Sequence, residues 1–258
     1  MEITHRWFDG IINSFNFGGE PSYNYGIVIE APPQISGAER DVEEVSIPGR
    51  DGSLLIDKGY FKNVTVSYDT WSYMPPANNY INPHVCKYSS QYAWAHSIKG
   101  WLQSQPGVYR PLWDTYDTLF VRYGRFKGEF NANAEANTIL KQTLSFDCKP
   151  FAYSIRGMEP QTVQSGTVLN NPFPFTAKPL IEILGNGTAT LEVGDRSWTI
   201  AVDGNATIDS ERMQIYKGTQ NLSGSKHGDG YPELPPGDCG IRYSGCDSVM
   251  ITPRWCTL

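Results

Sequence analysis

Pro179-Leu-Ile-Glu-Ile-Leu-Gly-Asn-Gly-Thr-Ala-Thr-Leu-Glu-Val193 holds two short alternating apolar runs around a Gly-Asn-Gly signal. Pro179–Leu184 and Thr188–Val193 read as strands. Asn186-Gly187 reads as the tight turn between them, because Asn-Gly accepts the positive φ that a two-residue hairpin turn demands. Gly194-Asp195 offers a second turn into Arg196–Val202, and Asp203-Gly204 a third into Ala206–Asp209. Met213–Tyr216, Gly240–Tyr243 and Ser248–Thr252 complete the series. Closely spaced strands without helical period indicate a β-sandwich or jelly roll.

The first half reads as strands around one helix. Asn24–Glu30 and Glu43–Ile47 are short and β-branched, and Pro48-Gly49-Arg50-Asp51-Gly52 is a turn signal. Phe61–Tyr68 alternates cleanly enough to bury one face. From about Ser89 to Gln103, Trp94, Ile98, Trp101 and Leu102 fall on one helical stripe. Ser89 or Ser90 caps its start, Pro106-Gly107 ends it, and the two tryptophans read as core anchors. Strands resume at Leu119–Tyr123 and Thr143–Cys148. The weakly patterned stretch Ile155–Asn171 marks a boundary, giving domains 1–155 and 156–258.

Composition narrows the function. Charged residues make up 19 %, while 25 Gly, 18 Pro and 15 Tyr suit turns and strands. A net charge of −6 with scattered basic residues argues against nucleic-acid binding. No apolar run is long enough for a membrane helix, and Met1–Arg6 lacks the apolar core of a secretory signal, so a soluble, cytoplasmically made protein is expected. The five cysteines (Cys86, Cys148, Cys239, Cys246, Cys256) lack a C-x-x-C pair and read as packed thiols.

Catalytic constellations are missing. The four histidines (His5, His84, His96, His227) have no zinc spacing, and there is no nucleophile elbow, Walker loop or dinucleotide fingerprint. Glu43 and Glu44 are adjacent in a strand and point to opposite faces. Asp114 and Asp117 flank a turn. Asp203, Asn205 and Asp209 lack the calcium-loop pattern. Gly224–Gly230 lacks a following helix for an anion site and reads as a mobile loop. No enzyme activity, cofactor or metal is expected.

Three ordered sets of motifs resemble the distal tail (Dit) family of siphophages that infect Gram-positive bacteria. The first is Ile47-Pro-Gly-Arg-Asp-Gly-Ser-Leu-Leu55 with Tyr60 and Val64–Tyr68. The second is Ile98–Leu102, then Leu112-Trp-Asp114, and Leu144-Ser-Phe-Asp-Cys-Lys-Pro-Phe151. The third runs from Asn170-Asn171 through Pro179–Ile183, Gly185–Gly187, Ile208–Glu211 and Pro232–Gly237 to Ile251–Arg254. Asp238-Cys239 departs from the family's usual Gly-Asn and apolar strand.

The resemblance implies a mainly β protein: an N-terminal β domain with one helix that forms a ring, then a C-terminal galectin-like β-sandwich. It implies a homo-hexamer at the tail tip, assembled in the host cytoplasm. That ring joins the major tail protein to the tail-tip hub or tail-associated lysin, and carries receptor-binding or baseplate proteins. Phage DNA passes through without specific binding, and no membrane is involved. Pro48, Gly49, Arg50, Asp51, Gly52 and Leu54 are the expected subunit contacts; alternatively, the glycines merely shape an internal hairpin. A second reading is a carbohydrate-binding module of the tail tip, in which Trp198 stacks on a sugar if it faces outward; packing in the sandwich core is the expected role of that side chain. A wall-degrading enzyme is the third.

Overall fold

The computed structural model describes residues 13–74, 90–136 and 139–258. Met1–Arg6, His84, Cys86 and Ser89 lie outside them. The chain divides into two compact units, Met1–Ala152 with Leu258, and Tyr153–Thr257.

The first unit holds β1 (Phe15–Phe17), β2 (Glu20–Pro21), β3 (Ile27–Ile29), β4 (Arg40–Ser46), β5 (Ser53–Phe61), β6 (Val64–Tyr73), α1 (Gln91–Gln103), β7 (Arg110–Asp114), β8 (Phe120–Phe126), β9 (Asn133–Ala136) and most of β10 (Ile139–Ser154). One sheet runs in the order β2-β1-β7-β8-β10-β6-β3, with β9 also on β10. In β6, Val64, Tyr68, Thr70 and Ser72 are buried between exposed or half-buried neighbours, and β10 buries Leu144, Phe146 and Cys148. Helix α1 lays Trp94, Ile98, Trp101 and Leu102 into the same core. Its start is capped by Ser90, whose side chain accepts the Ala93 N–H at 3.2 Å. Both indoles also find acceptors, Trp94 in the Tyr25 carbonyl and Trp101 in that of Phe17.

Two readings of the first half change. Asn24–Glu30 is not one strand: Ser22–Tyr25 forms a 3-10 turn, and only Ile27–Ile29 pairs. Gly26 (φ 70°) closes that turn, where a Cβ would run into the Tyr73 carbonyl. Phe61–Tyr68 is broken at Lys62-Asn63, so Phe61 ends β5 and the alternation begins at Val64.

The second unit adds β11 (Gln161–Val163), β12 (Val168–Asn171), β13 (Leu180–Val193), β14 (Arg196–Asp209), β15 (Gln214–Lys217), β16 (Gln220–Asn221), β17 (Lys226–His227), β18 (Gly237–Ser244), β19 (Ser248–Thr252) and β20 (Cys256–Thr257). Strands follow β11-β19-β13-β14-β15-β16, while β18 pairs with β12 and β13. Ile181, Ile183, Leu191, Trp198, Ile200, Ile208, Ile241 and Ile251 fill the core.

Of the three expected turns only Gly194-Asp195 is one. Asn186-Gly187 and Asp203-Gly204 lie inside two fourteen-residue strands, facing each other as Asn186↔Asp203 and Gly185↔Gly204. Positive φ at Gly185, Gly187 and Gly204 bends the ladder without reversing it. Asn186 Oδ1 accepts the Gly204 N–H at 2.9 Å, so no donor is stranded at the bend. Ile155–Asn171 is also ordered, with a 3-10 turn at Arg156–Met158 followed by β11 and β12. Gly224–Gly230 is not simply a loop, because Lys226-His227 pairs with β14.

Asp209, in keeping with its lack of a calcium-loop pattern, is 2 % exposed and gripped by Arg254 at 2.7 and 3.3 Å. Arg254 holds a left-handed backbone (φ 57°) and donates its N–H to the Gly157 carbonyl at 2.7 Å. Burial alone raises the Asp209 pKa, but the Arg254 bonds and charge outweigh it and hold the carboxyl below its usual range. A depressed folded pKa means the stability is complete above the unfolded carboxylate range and is lost as pH falls through the folded value. Urea midpoints measured from pH 6 down to pH 2 should fall less steeply in Asp209→Asn than in the parent. Asp209→Ala should cost about 1.5–3 kcal/mol at neutral pH, since it removes two charge-assisted bonds and leaves the half-buried Arg254 guanidinium only Glu211 at 3.7 Å.

Candidate functional site

Between β3 and β6 the chain makes an excursion. The two strands are ladder neighbours (Ile29↔Thr70), yet residues 30–63 separate them, and the middle of that segment forms a sheet of only β4 and β5. Nearly every residue of this hairpin is half-buried or exposed. Its register is Val42↔Asp57, Glu43↔Ile56, Glu44↔Leu55, Val45↔Leu54 and Ser46↔Ser53.

Alternation sorts the side chains into two faces. One carries Val45, Leu54 and Ile56, the other Val42 and Leu55. Leu54, Leu55 and Ile56 are 41 %, 60 % and 46 % exposed, so apolar surface projects on both sides of the arm. A run of three exposed apolar residues is a fault in a free-standing strand unless something covers it.

The stem is polar and ion-paired. Arg40 grips Asp57 with two bonds of 2.8 Å and lies over the Phe61 ring at 4.7 Å. Tyr60 donates its hydroxyl to Asp41, Lys58 sits 3.7 Å from Asp41, and Lys62 sits 3.4 Å from Glu39. The Tyr60 bond, helped by the two lysines, holds Asp41 below its usual pKa, and the Arg40 bond does the same for Asp57. At the base, Phe61 packs edge-on against Phe151 at 5.8 Å. Beside it Asp147 accepts bonds from Asn63, Tyr109 and Arg125, fixing where the chain re-enters the main sheet.

The six residues expected as contacts all fall at the tip of this arm. Pro48, Gly49, Arg50, Asp51 and Gly52 form the exposed connection, with Leu54 just inside β5. Gly49 and Gly52 both take φ 80°, which gives the turn its shape. Sequence reading passed over Val42, Val45, Ile56 and the stem pairs. The signal was the unbroken Leu54-Leu55-Ile56, which does not fit a one-sided strand.

Trp198 lies elsewhere. It is 1 % exposed in the core of the second unit, its indole donating to the Asp229 and Gly230 carbonyls at 3.2 Å. The outward orientation that sugar stacking required is absent. Other chemistry is muted. Burial pushes the Cys148 thiol up to about 12 and Cys256 to about 11, leaving both protonated at neutral pH. Among the described residues no His, Cys, Asp and Glu cluster has a metal-binding arrangement, and no helix is long and apolar enough to cross a membrane.

No protein-family model and no curated protein matches the sequence. A solved structure does. The crystal structure of SPP1 Dit (gp 19.1) matches with a TM-score of 0.67, covering 93 % of this chain and 98 % of that one. The chain has the Dit fold. Identity to SPP1 Dit is 12 %, so the likeness lies in backbone architecture. SPP1 Dit is described as a paradigm of the hub adsorption apparatus in phages that infect Gram-positive bacteria.

Within this Dit fold the arm and the core respond differently to substitution. Leu54→Ser, Leu55→Ser and Ile56→Ser should each change unfolding free energy by no more than about 0.5 kcal/mol, as exposed sites do. Trp198→Ala should cost about 3–5 kcal/mol by opening a core cavity. Chemical denaturation of the four variants separates the two classes.

Proposed function

We propose that the chain is a structural subunit of the distal end of a long phage tail, and that it closes into a six-membered ring through its arm. The single observation that carries this reading is an exposed, two-faced apolar hairpin on a Dit fold. A cyclic ring is built from two different patches on each subunit, and it closes by rotation. The arm supplies one of them. Its free strand edges are available for pairing with a neighbour, and its leucines are available for burial.

In this reading residues 1–155 form the ring, joining the major tail protein above to the tail-tip hub or lysin below. Residues 156–258, read as a galectin-like sandwich, stand at the periphery and dock receptor-binding or baseplate proteins. DNA passes through the opening without sequence-specific contacts, in keeping with the net charge of −6. The work is assembly rather than catalysis, carried out in the host cytoplasm and completed in the virion.

Light scattering of the purified chain should give six times the 28.8 kDa subunit, about 173 kDa, and negative-stain images should show open rings. The triple variant Leu54→Ser, Leu55→Ser, Ile56→Ser should remain folded and run as a monomer. Arg50→Glu should weaken the ring. A triple variant that assembles like the parent would exclude the arm as the ring contact.

A further inference from the structure

Where β3 ends, the main sheet of the first unit opens. Glu30 still donates its N–H to the Asp69 carbonyl at 2.8 Å, but no described strand pairs with residues 64–68 on that side of β6. Pro32 and Pro33 follow, and without an N–H they cannot continue the ladder. Among the described residues no backbone hydrogen bond holds residues 31–38. This strap stands off the sheet, leaving a cavity of about 390 Å3 between it and the β7–β8 connection.

The cavity is a mouth with an apolar interior. Val66, Tyr68 and Leu112 form its floor, and Tyr68 donates its hydroxyl to Asp114 at 2.8 Å. Pro32, Pro33 and Ile35 line the strap side, while Trp113, Tyr116 and Phe120 line the other. Ile35 is fully exposed and Tyr116 is 39 % exposed, so the rim is apolar too. Exposed apolar surface of this kind marks an interaction site.

Charge in the mouth is sparse. Among the described residues neither Asp117 nor Arg122 has an oppositely charged partner within 4 Å. Arg122 donates to the Pro150 carbonyl at 3.2 Å, and Asp117 accepts the Leu119 N–H at 3.4 Å. Partial burial, with the charge of Asp114 beside it, pushes the Asp117 carboxyl above its usual range. An incoming guanidinium would favour the ionised form of such a group.

These features describe the occupant. It must be apolar on both faces, because the mouth has two apolar walls, and it must bring a cation and an anion of its own. The arm tip has both properties. Leu54, Leu55 and Ile56 project on its two faces, and Arg50 and Asp51 stand exposed at its turn. Arg50 answers Asp117, and Asp51 answers Arg122. A second copy suits the mouth better than an unrelated partner, since each copy carries one projecting tip and one receiving mouth, as a head-to-tail contact requires.

We propose that the mouth between residues 32–36 and the β7–β8 connection receives the arm tip of a second copy of this chain, with Leu54 on the apolar floor and Arg50 against Asp117. The proposal rests on the ring reading above and names the patch that the arm meets.

Two variants of the full chain separate the halves of this contact. The mouth variant Ile35→Lys, Tyr116→Lys alters exposed side chains, so it should keep the parent's thermal midpoint while running as a monomer. The arm variant Leu54→Ser, Leu55→Ser, Ile56→Ser is the other half. Mixed in equal amounts, the two should form a dimer of twice the 28.8 kDa subunit and stop there, because only one intact arm and one intact mouth can meet. Ile35→Lys alone should raise the dissociation constant about tenfold, since the new ammonium faces the incoming Arg50. A mouth variant that forms rings like the parent would overturn the proposal and leave the arm reading standing. So would a mixture that stays monomeric. An arm variant that assembles normally, or a parent that never assembles, sinks the ring reading itself and this proposal with it.

Discussion

Phe15 lies against three aromatic rings, stacked on Tyr68 at 4.9 Å with 4° between the planes and on Trp101 at 5.9 Å, and edge-on to Phe146 at 5.6 Å. Through that one side chain, β1 ties β6 of the sheet to the helix. Phe17 extends the contact to Phe146 at 4.8 Å, and the Arg110 guanidinium covers Phe17 at 3.9 Å. Aromatic pairs add about 0.5–1.5 kcal/mol each beyond the burial of their area. With the helix seated on these rings, the apolar face of the sheet is filled. β3 is the edge strand of that sheet, and the chain between Glu30 and Asn63 adds no strand to it. The arm is built outside the core that these rings fill.

An excluded hairpin needs its own means of holding together. Two strands alone are marginal in water, having no second layer to pack on. Here the stem is tied by Arg40 to Asp57 and by Lys58 and Tyr60 to Asp41, all at the surface where such pairs are weak and screened by salt. None of this satisfies the leucines at the tip. A surface that covered Val45, Leu54 and Ile56 would leave Leu55 and Val42 in water on the opposite side. The arrangement therefore calls for cover on both faces. Flanking neighbours in the ring we propose would supply that, whereas a one-sided contact would not.

Much of this was legible before any coordinates. The helix and its stripe followed from Trp94, Ile98, Trp101 and Leu102, because a 3.6-residue period survives almost any tertiary setting. The buried sets of β6 and β10 followed from alternation. The turn at Pro48–Gly52 followed from its proline and glycines. That β4 and β5 stand apart from the main sheet was not legible, since local pattern does not say which strands pair. Trp198 packs in the sandwich core, as expected of a large aromatic on a strand, and the sugar-stacking alternative needed a face the strand does not give it. Gly26 hid its role because the obstacle, the Tyr73 carbonyl, lies 47 positions away in the chain.

The Gly-Asn-Gly segment shows most clearly how tertiary pairing overrides a local signal. A turn at Asn186-Gly187 would have given two short hairpins, each with one partner. Instead β13 runs on, pairing with β19 through Leu180–Leu184 and with β18 through Thr190–Val193. β18 and β19 follow one another along the same edge of β13, and the positive φ values of Gly185 and Gly187, answered by Gly204 across the ladder, fall where those two strands are interrupted at Gly245–Asp247. Gly185 also lets the chain pass close to Cys246, where a Cβ would come within 2.9 Å of its Cα. Beyond the interruption β18 sets Arg242 beside Glu192. The residues that mislead a reading for turns are thus the ones that keep one long strand paired on both edges.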